Sequence, residues 1–221
     1  MALLLFLPPY CKAAGKALAW QCEPPVDVCI GDLVVRKGQG TWTQYFINCS
    51  SREKRFSHVG IVSDIANDVL LIHADANERT GDGCVRMEGW RDFFAEALEC
   101  AVFRFDGSPN IASNIVDNAK RRLGVKFDSV FDMGETNRLY CSEMVRLAIN
   151  EAVGTNLVGI TKVCGHNVVA IDDIYYNGFI RIYDSHHPEL CSADVVNVKP
   201  VTSLMGDDTS RVLEKDNERQ P

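Results

Sequence analysis

The sequence predicts an α+β domain: an antiparallel sheet or small barrel with helices packed against it. Two β-rich runs, Val59-Gly60-Ile61-Val62 and Val69-Leu70-Leu71-Ile72, flank the turn-forming set Asp64-Ile65-Ala66-Asn67-Asp68 and so read as a hairpin. Two amphipathic stripes at helical spacing, one after Ser108-Pro109 and one after Tyr140, supply helices with a single apolar face. With 221 residues, 46% of them hydrophobic, the chain is long enough to bury one sizeable core.

Taken in order, residues 12–20 suit a short helix that Glu23-Pro24-Pro25 breaks. Gly31 to Arg36 reads as a turn entering a strand. After the Gly38-Gln39-Gly40 loop, Trp42, Tyr45, Phe46 and Cys49 recur at helical spacing, a stripe that belongs in a core. Cys84–Met87 and Ala101–Phe105 are further strands, with a short helix near Trp90–Ala97 between them. Ser108 and Pro109 are an N-cap and an N1 proline, and Ala112, Ile115, Val116, Ala119 and Leu123 form the apolar face before Gly124 ends the helix. A polar loop leads to Tyr140. The next helix starts at Cys141 and buries Met144, Val145, Ala148, Ile149 and Ala152, with Gly154 as its stop. A loop holding Cys164 and His166 follows, then a strand at Phe179–Tyr183. The composition turns charged from about Pro200, as in a disordered tail. The organisation is therefore an N-terminal extension or helix (1–29), one domain (30–185) and a partly disordered C-terminal extension (186–221), without repeats.

Bulk charge narrows the function classes. Lys and Arg number 23 against 30 Asp and Glu, a net charge of −7, which argues against a nucleic-acid surface. The nine cysteines are an odd count with no C-x-x-C pair, so neither a zinc ribbon nor a disulfide framework follows. Scattered thiols suit a reducing compartment. Ala2–Leu7 is too short to span a bilayer. Ala17-Leu18-Ala19 has the form of a cleavage site, yet no basic residue precedes Lys12, and Lys12 and Lys16 lie where a leader is normally uncharged. These features favour the cytoplasm, with export as the alternative.

The chemistry gathers around Cys141. It opens a helix on the inward face, where unpaired N–H groups and the macrodipole favour a thiolate, an effect that can lower a cysteine pKa to roughly 3.5–7.5. On that reading Cys141 should alkylate faster than the other eight thiols. His58 opens the first hairpin strand and His73 closes the second. Residue numbers paired across a hairpin share a constant sum, so the two imidazoles stand opposite or one diagonal step apart. A thiol, an imidazole base and a second imidazole to orient it make a nucleophilic triad. Cys141 would attack a carbonyl, His58 would shuttle the proton and His73 would fix the tautomer of His58, while backbone N–H groups at the helix start, that of Cys141 included, would hold the oxyanion. Tyr140 either lines the cleft or caps the core, and Glu143 reads as an acid suited to a first helical turn. His186-His187 is surface. A non-enzymatic alternative has Cys141, His58 and His73 binding zinc with His166 as a further ligand, although the spacing matches no zinc motif.

Gly31-Asp32-Leu33-Val34, Ser57-His58-Val59-Gly60-Ile61-Val62 and Leu71-Ile72-His73-Ala74 resemble the G-D-L-V, S-H-V-G-I and I-H-A motifs of NlpC-type papain-like cysteine peptidases. There the nucleophile usually precedes the histidines. Here Tyr140-Cys141-Ser142-Glu143 follows them, the order of the circularly permuted YiiX and YaeF group, of its poxvirus relatives and of the lecithin retinol acyltransferases. The loop Lys126–Phe131 is also similar to YiiX, and the resemblance spans roughly residues 30–185. YiiX-like proteins often carry glutamate where His73 stands, so the orienting group here follows the unpermuted pattern. The resemblance implies a papain-like α+β fold and amide hydrolysis through a thioester, with Cys141, His58 and His73 as catalytic residues and no metal or organic cofactor. It also implies a small peptide-like or lipid-linked amide substrate. A thiol acyltransferase or lipase on the same triad is the alternative. Substrate identity and oligomeric state are not written in the sequence.

Overall fold

The structure, a computed structural model, describes residues 27–187 apart from 136. The expected helix at 12–20, the cleavage-site pattern and the charged tail lie outside the described residues. The chain runs β1 (Leu33–Lys37), α1 (Thr41–Cys49), β2 (His58–Asp64), β3 (Leu70–Ala76), β4 (Gly83–Gly89), α2 (Trp90–Phe93), β5 (Glu99–Phe105) and α3 (Pro109–Lys120). It continues with β6 (Lys126–Phe127), β7 (Arg138–Leu139), α4 (Cys141–Val153), β8 (Thr161–Val163), β9 (His166–Val168), α5 (Ile171–Tyr175) and β10 (Phe179–Asp184).

Eight strands form one curled sheet in the order β10-β5-β1-β2-β3-β4-β6-β7, antiparallel except for β6 with β7. Strand alternation divides the core between its two faces. Leu33, Val35, Val59, Ile61, Ile72 and Ala74 face α3 and α4, packing against Ile115, Val116, Met144, Val145, Ala148 and Ile149. Val34, Val62 and Leu71 face the other way, onto Trp90, Phe93 and Phe94 around α2. This is the expected α+β class, a half-barrel with helices on it.

Local signals behave as their chemistry requires. The side chain of Ser108 accepts from Asn110 N–H, capping α3 with Pro109 in its first turn. Gly154 ends α4 at φ +71°, the left-handed position a glycine takes at no steric cost. Gly31 stands at φ +89°, and a Cβ there would meet Ala112 Cβ at 2.8 Å, so the turn before β1 excludes any larger residue. Asp32 beside it accepts from Cys29 N–H (2.7 Å) and pairs with Arg104 (2.8 Å), which anchors the start of β1.

Two stretches differ from the sequence reading. The polar loop before Tyr140 contains β6 and β7, two-residue strands that pair Lys126 with Cys84 and with Arg138. Segments that short carry no hydrophobic period. The loop holding Cys164 and His166 is the β8–β9 hairpin, whose turn residues Cys164 (φ +48°) and Gly165 (φ +88°) are both left-handed.

Candidate active site

A cleft of about 310 Å³ opens at the end of the sheet where β1 and β3 finish and β2 begins. Arg36, Ser57, His58, Asp75 and Cys141 line one part of it, and Trp42, Phe46 and Phe127 form an aromatic wall. Trp42 stacks on Phe127 at 5.4 Å between centroids, so the wall is braced by α1 and β6 together.

The histidines come from the hairpin. The register pairs Ile61 with Ile72 and Val62 with Leu71. Extended toward the cleft, it sets Asp75 opposite His58 and leaves His73 one diagonal step away, on the same face. The imidazoles meet there: His58 Nε2 and His73 Nδ1 are 2.9 Å apart. Phe93 braces both rings, with centroids at 5.4 and 5.0 Å. Gly60 lies between them because a Cβ at that position would come within 3.1 Å of Phe93 Cε2 and 3.5 Å of the Cβ of His73.

Cys141 arrives from the opposite face of the sheet. The β2–β3 pairing runs from Asp64 back to Ile61 and stops. In an antiparallel strand alternate N–H groups point to the same neighbour, so the N–H of Val59, like that of Ile61, is aimed at the β3 side. It meets the Cys141 thiol instead, and the Ser142 N–H donates to the same sulfur. The thiol thus sits at the seam where the two strands part, reached by α4 from one side and by His58 from the other. His58 and Cys141 share the cleft without a hydrogen bond between them.

The remaining residues of the Tyr-Cys-Ser-Glu run serve the architecture. Tyr140 Oη accepts from Val169 N–H at 2.9 Å and Ser142 Oγ donates to the Val169 carbonyl at 2.8 Å, so the helix start is clamped to both backbone polar groups of one residue. Glu143, at the third helical position, accepts from the Tyr140 backbone N–H as one half of a capping box. Tyr140 is 0% exposed, and its ring packs on Phe46 and Phe131. The structure therefore places its side chain in the core and not in the cleft.

Electrostatics depart from the expectation of a thiolate. Cys141 is 2% exposed, and burial pushes its thiol up to about 12, against the smaller downward pull of the Val59 and Ser142 amides. Desolvation here outweighs the helix start. His58 is held well below its ordinary 6.5, first by burial and then by the Arg36 charge beside it. At neutral pH the resting pair is a neutral thiol and a neutral imidazole, so rapid alkylation of Cys141 is no longer expected. Burial also raises Glu143, to about 7.

Two residues that the sequence reading gave no role in the site complete the surroundings. Glu88 stands on β4 one diagonal step from His73, whose register partner is Arg86. Its Oε2 lies 3.0 Å from His73 Nε2, off the straight N–H line, and its Oε1 takes Arg86 at 2.8 Å. These partners, His73 first, hold its carboxyl down at about 2. The constant-sum argument that joined His58 and His73 would have found Glu88 too, since the β3–β4 register centres in the turn at Arg79 and Thr80. Arg36, the second, is paired with His58 across β1 and β2.

The zinc arrangement does not fit these positions. His58 Nε2 and His73 Nδ1 are engaged with one another, and His166 lies exposed on the β8–β9 hairpin. Among the described residues no three His, Cys, Asp or Glu side chains are grouped to hold an ion.

Comparison with known proteins adds the following. The profile of the permuted papain-like amidase enzymes, YaeF/YiiX, C92 family, matches residues 27–175. Among solved structures, the metalloprotein YiiX of Escherichia coli O157:H7 superposes with a TM-score of 0.57 at 17% identity, over 69% of this chain and 95% of that one. None of the curated proteins matches.

Proposed function

The chain belongs to the YaeF/YiiX family of permuted papain-like amidases, cysteine hydrolases by class, and from that premise we propose that it cleaves an amide bond through a thioester on Cys141, with His58 as base and His73 as its orienting partner. The observation that carries the reading is the His58–His73 pair at 2.9 Å, whose His58 lines the same cleft as the thiol while His73 is buried behind it.

The His58–His73 hydrogen bond and the close approach of the Glu88 carboxylate to His73 together favour one tautomer chain. Ionised Glu88 accepts only, so His73 carries its proton on Nε2 and presents a lone pair at Nδ1. His58 then donates from Nε2, which leaves its Nδ1 unprotonated as the base. The sulfur attacks the substrate carbonyl as His58 Nδ1 takes the thiol proton, forming a C–S bond and an oxyanion. Backbone N–H groups at the start of α4, that of Cys141 among them, are the donors for that oxygen. Collapse breaks the C–N bond, and the leaving amine takes the proton from His58. Water, deprotonated by His58, then attacks the thioester; the acid departs and the proton returns to sulfur. The proton transfers therefore begin from neutral partners rather than from a resting ion pair.

The substrate is a small peptide-like or lipid-linked amide. Trp42, Phe46 and Phe127 offer an apolar wall that also suits an acyl chain, which keeps a thiol acyltransferase as the second reading. YiiX is described as a metalloprotein; among the described residues of this chain no three His, Cys, Asp or Glu side chains are grouped to hold an ion. The test is to trap the acyl-enzyme with candidate peptide and lipid amides and read the adduct mass. A mass increment on the Cys141 peptide, lost in Cys141→Ala and absent in a folded His58→Ala protein, supports the reading. Turnover that survives Cys141→Ala refutes it, and transfer to an added amine in preference to water identifies the acyltransferase.

A further inference from the structure

The Arg36 guanidinium is a half-buried charge at the cleft wall with no ion-pair partner among the described residues. Its Nε is shielded from solvent and has no hydrogen-bond partner, and no carboxylate among the described residues comes within 4.0 Å of it. The side chain lies over the Phe93 ring, 5.1 Å from Cζ to the centroid, beside both imidazoles. Burial draws its pKa down, the mark of a cation short of solvation.

The nearby acids act on it only from a distance, and three of them are engaged elsewhere. Asp75 pairs with Arg86 at 3.0 Å, and Glu88 is held by His73 and Arg86. Glu78 accepts the Thr41 and Trp42 amides at the start of α1. Glu96 is exposed at the cleft mouth. Buried charges are ordinarily paired, and removing such a partner leaves an uncompensated ion. An unpaired guanidinium that lines the cleft is a site whose partner comes from outside the chain. Its planar fork of donors matches a carboxylate.

We infer that Arg36 is an anion subsite: it receives a carboxylate of the substrate lying within one or two residues of the scissile amide. This rests on the reading of Cys141 as nucleophile and narrows its substrates to amides bearing a nearby carboxylate. Arg36 sits next to His58 across the β1–β2 ladder, so a substrate anchored there presents its amide between the imidazole and the sulfur. A neutral analogue loses that anchor and leaves the guanidinium unpaired.

The test compares iodoacetate with iodoacetamide as alkylating agents, reading second-order rates at Cys141 by peptide mass and using exposed Cys29 and Cys164 as references in the same protein. Both reagents meet the same buried thiol, so their ratio cancels its low reactivity. The iodoacetate-to-iodoacetamide ratio at Cys141 is expected to exceed the reference ratio at least tenfold, to fall to it in Arg36→Gln, and to recover in part in Arg36→Lys. A ratio equal to the references, or one that persists in Arg36→Gln, overturns the subsite. Equal slowing of both reagents in Arg36→Gln, with the ratio unchanged, would also overturn it and assign the charge to the thiol alone. A second measurement avoids the sulfur. In Cys141→Ala protein, N-acetylglycine should raise Tm and N-acetylglycinamide should not, and the difference should vanish on adding Arg36→Gln. Identical responses to the two ligands overturn the subsite. Loss of the subsite with acyl-enzyme still trapped on Cys141 leaves the hydrolase reading intact, whereas retained selectivity without any acyl-enzyme refutes that reading alone.

Discussion

Replacing Glu88 by glutamine should damage the enzyme more than replacing it by alanine. Glu88 shares its two oxygens between His73 Nε2 (3.0 Å) and Arg86 (2.8 Å). Arginine can only donate, so the single carbonyl of a glutamine turns to Arg86 and its NH2 faces His73. His73 must then accept on Nε2 and carry its proton on Nδ1. That proton points at His58 Nε2, which becomes an acceptor, and the His58 proton moves to Nδ1, the position from which it was to act as base. Alanine imposes no tautomer and removes only the orienting contact. A hydrogen bond to a charged group contributes about 1.5–3 kcal/mol, an upper bound for the bent Glu88–His73 contact, so Glu88→Ala should cost at most roughly 10- to 100-fold in kcat. A wrong tautomer enforced directly on a catalytic histidine costs about 10⁴-fold. One imidazole further out, Glu88→Gln should cost roughly 10²- to 10³-fold, with KM unchanged. Steady-state kinetics of both variants on one amide substrate decide the matter, with circular dichroism to confirm folding. Glutamine as active as wild type, or alanine the worse of the two, refutes the tautomer chain.

Three further outcomes are expected. The His58 pKa lies below 6.5 and the Cys141 thiol stays protonated to about 12, so the acid limb of kcat/KM should fall below pH 6.5 with no alkaline limb near 8.5; an acid limb at or above 6.5, or an alkaline limb near 8.5, in a pH–rate profile contradicts the neutral pair. Glu143 is raised to about 7 in the folded state, so it stays protonated there while the unfolded chain loses its proton above about 4.5; stability falls across that window by roughly 3 kcal/mol in total. Glu143→Gln should therefore raise Tm by several degrees at pH 8 and leave it unchanged at pH 4, and an equal difference at both pH values would show that the carboxyl is not the cause. Tyr140→Phe strands the buried Val169 N–H and should cost about 1–3 kcal/mol in denaturant unfolding with kcat within about twofold; a larger fall in kcat would return the hydroxyl to the chemistry.

The sequence exposed those features that repeat or punctuate. Hairpin symmetry placed His58 beside His73, and the stripe from Met144 to Ile149 placed Cys141 at a helix start, because both signals are periodic. Ser108, Pro109 and Gly154 marked helix ends through local chemistry. What remained hidden depends on tertiary context. The two-residue strands at Lys126 and Arg138 exist only as partners of β4 and of each other. The Cys141 pKa moved opposite to the helix-start argument because spacing reports a helix end, whereas burial to 2% exposure depends on the surrounding packing. Arg36 looked like an ordinary strand residue, since nothing in its neighbours shows that no acid reaches it.

The parted seam between β2 and β3 also explains why the order of the motifs along the chain can change. What the proposed chemistry uses is a strand pair that stops pairing at Ile61, a Val59 N–H that holds the sulfur, and imidazoles at His58 and His73 on the far face. None of these asks from which direction the sulfur-bearing helix was threaded. The helix needs only to pack its apolar stripe on β2 and β3 with its first residue at the opening, and the α3–α4 layer does this from the C-terminal side. Tyr140 and Ser142 then fix that first residue by gripping Val169, a residue the chain reaches only after α4. The clamp is local to the downstream segment, so the helix start and its anchor travel as a unit.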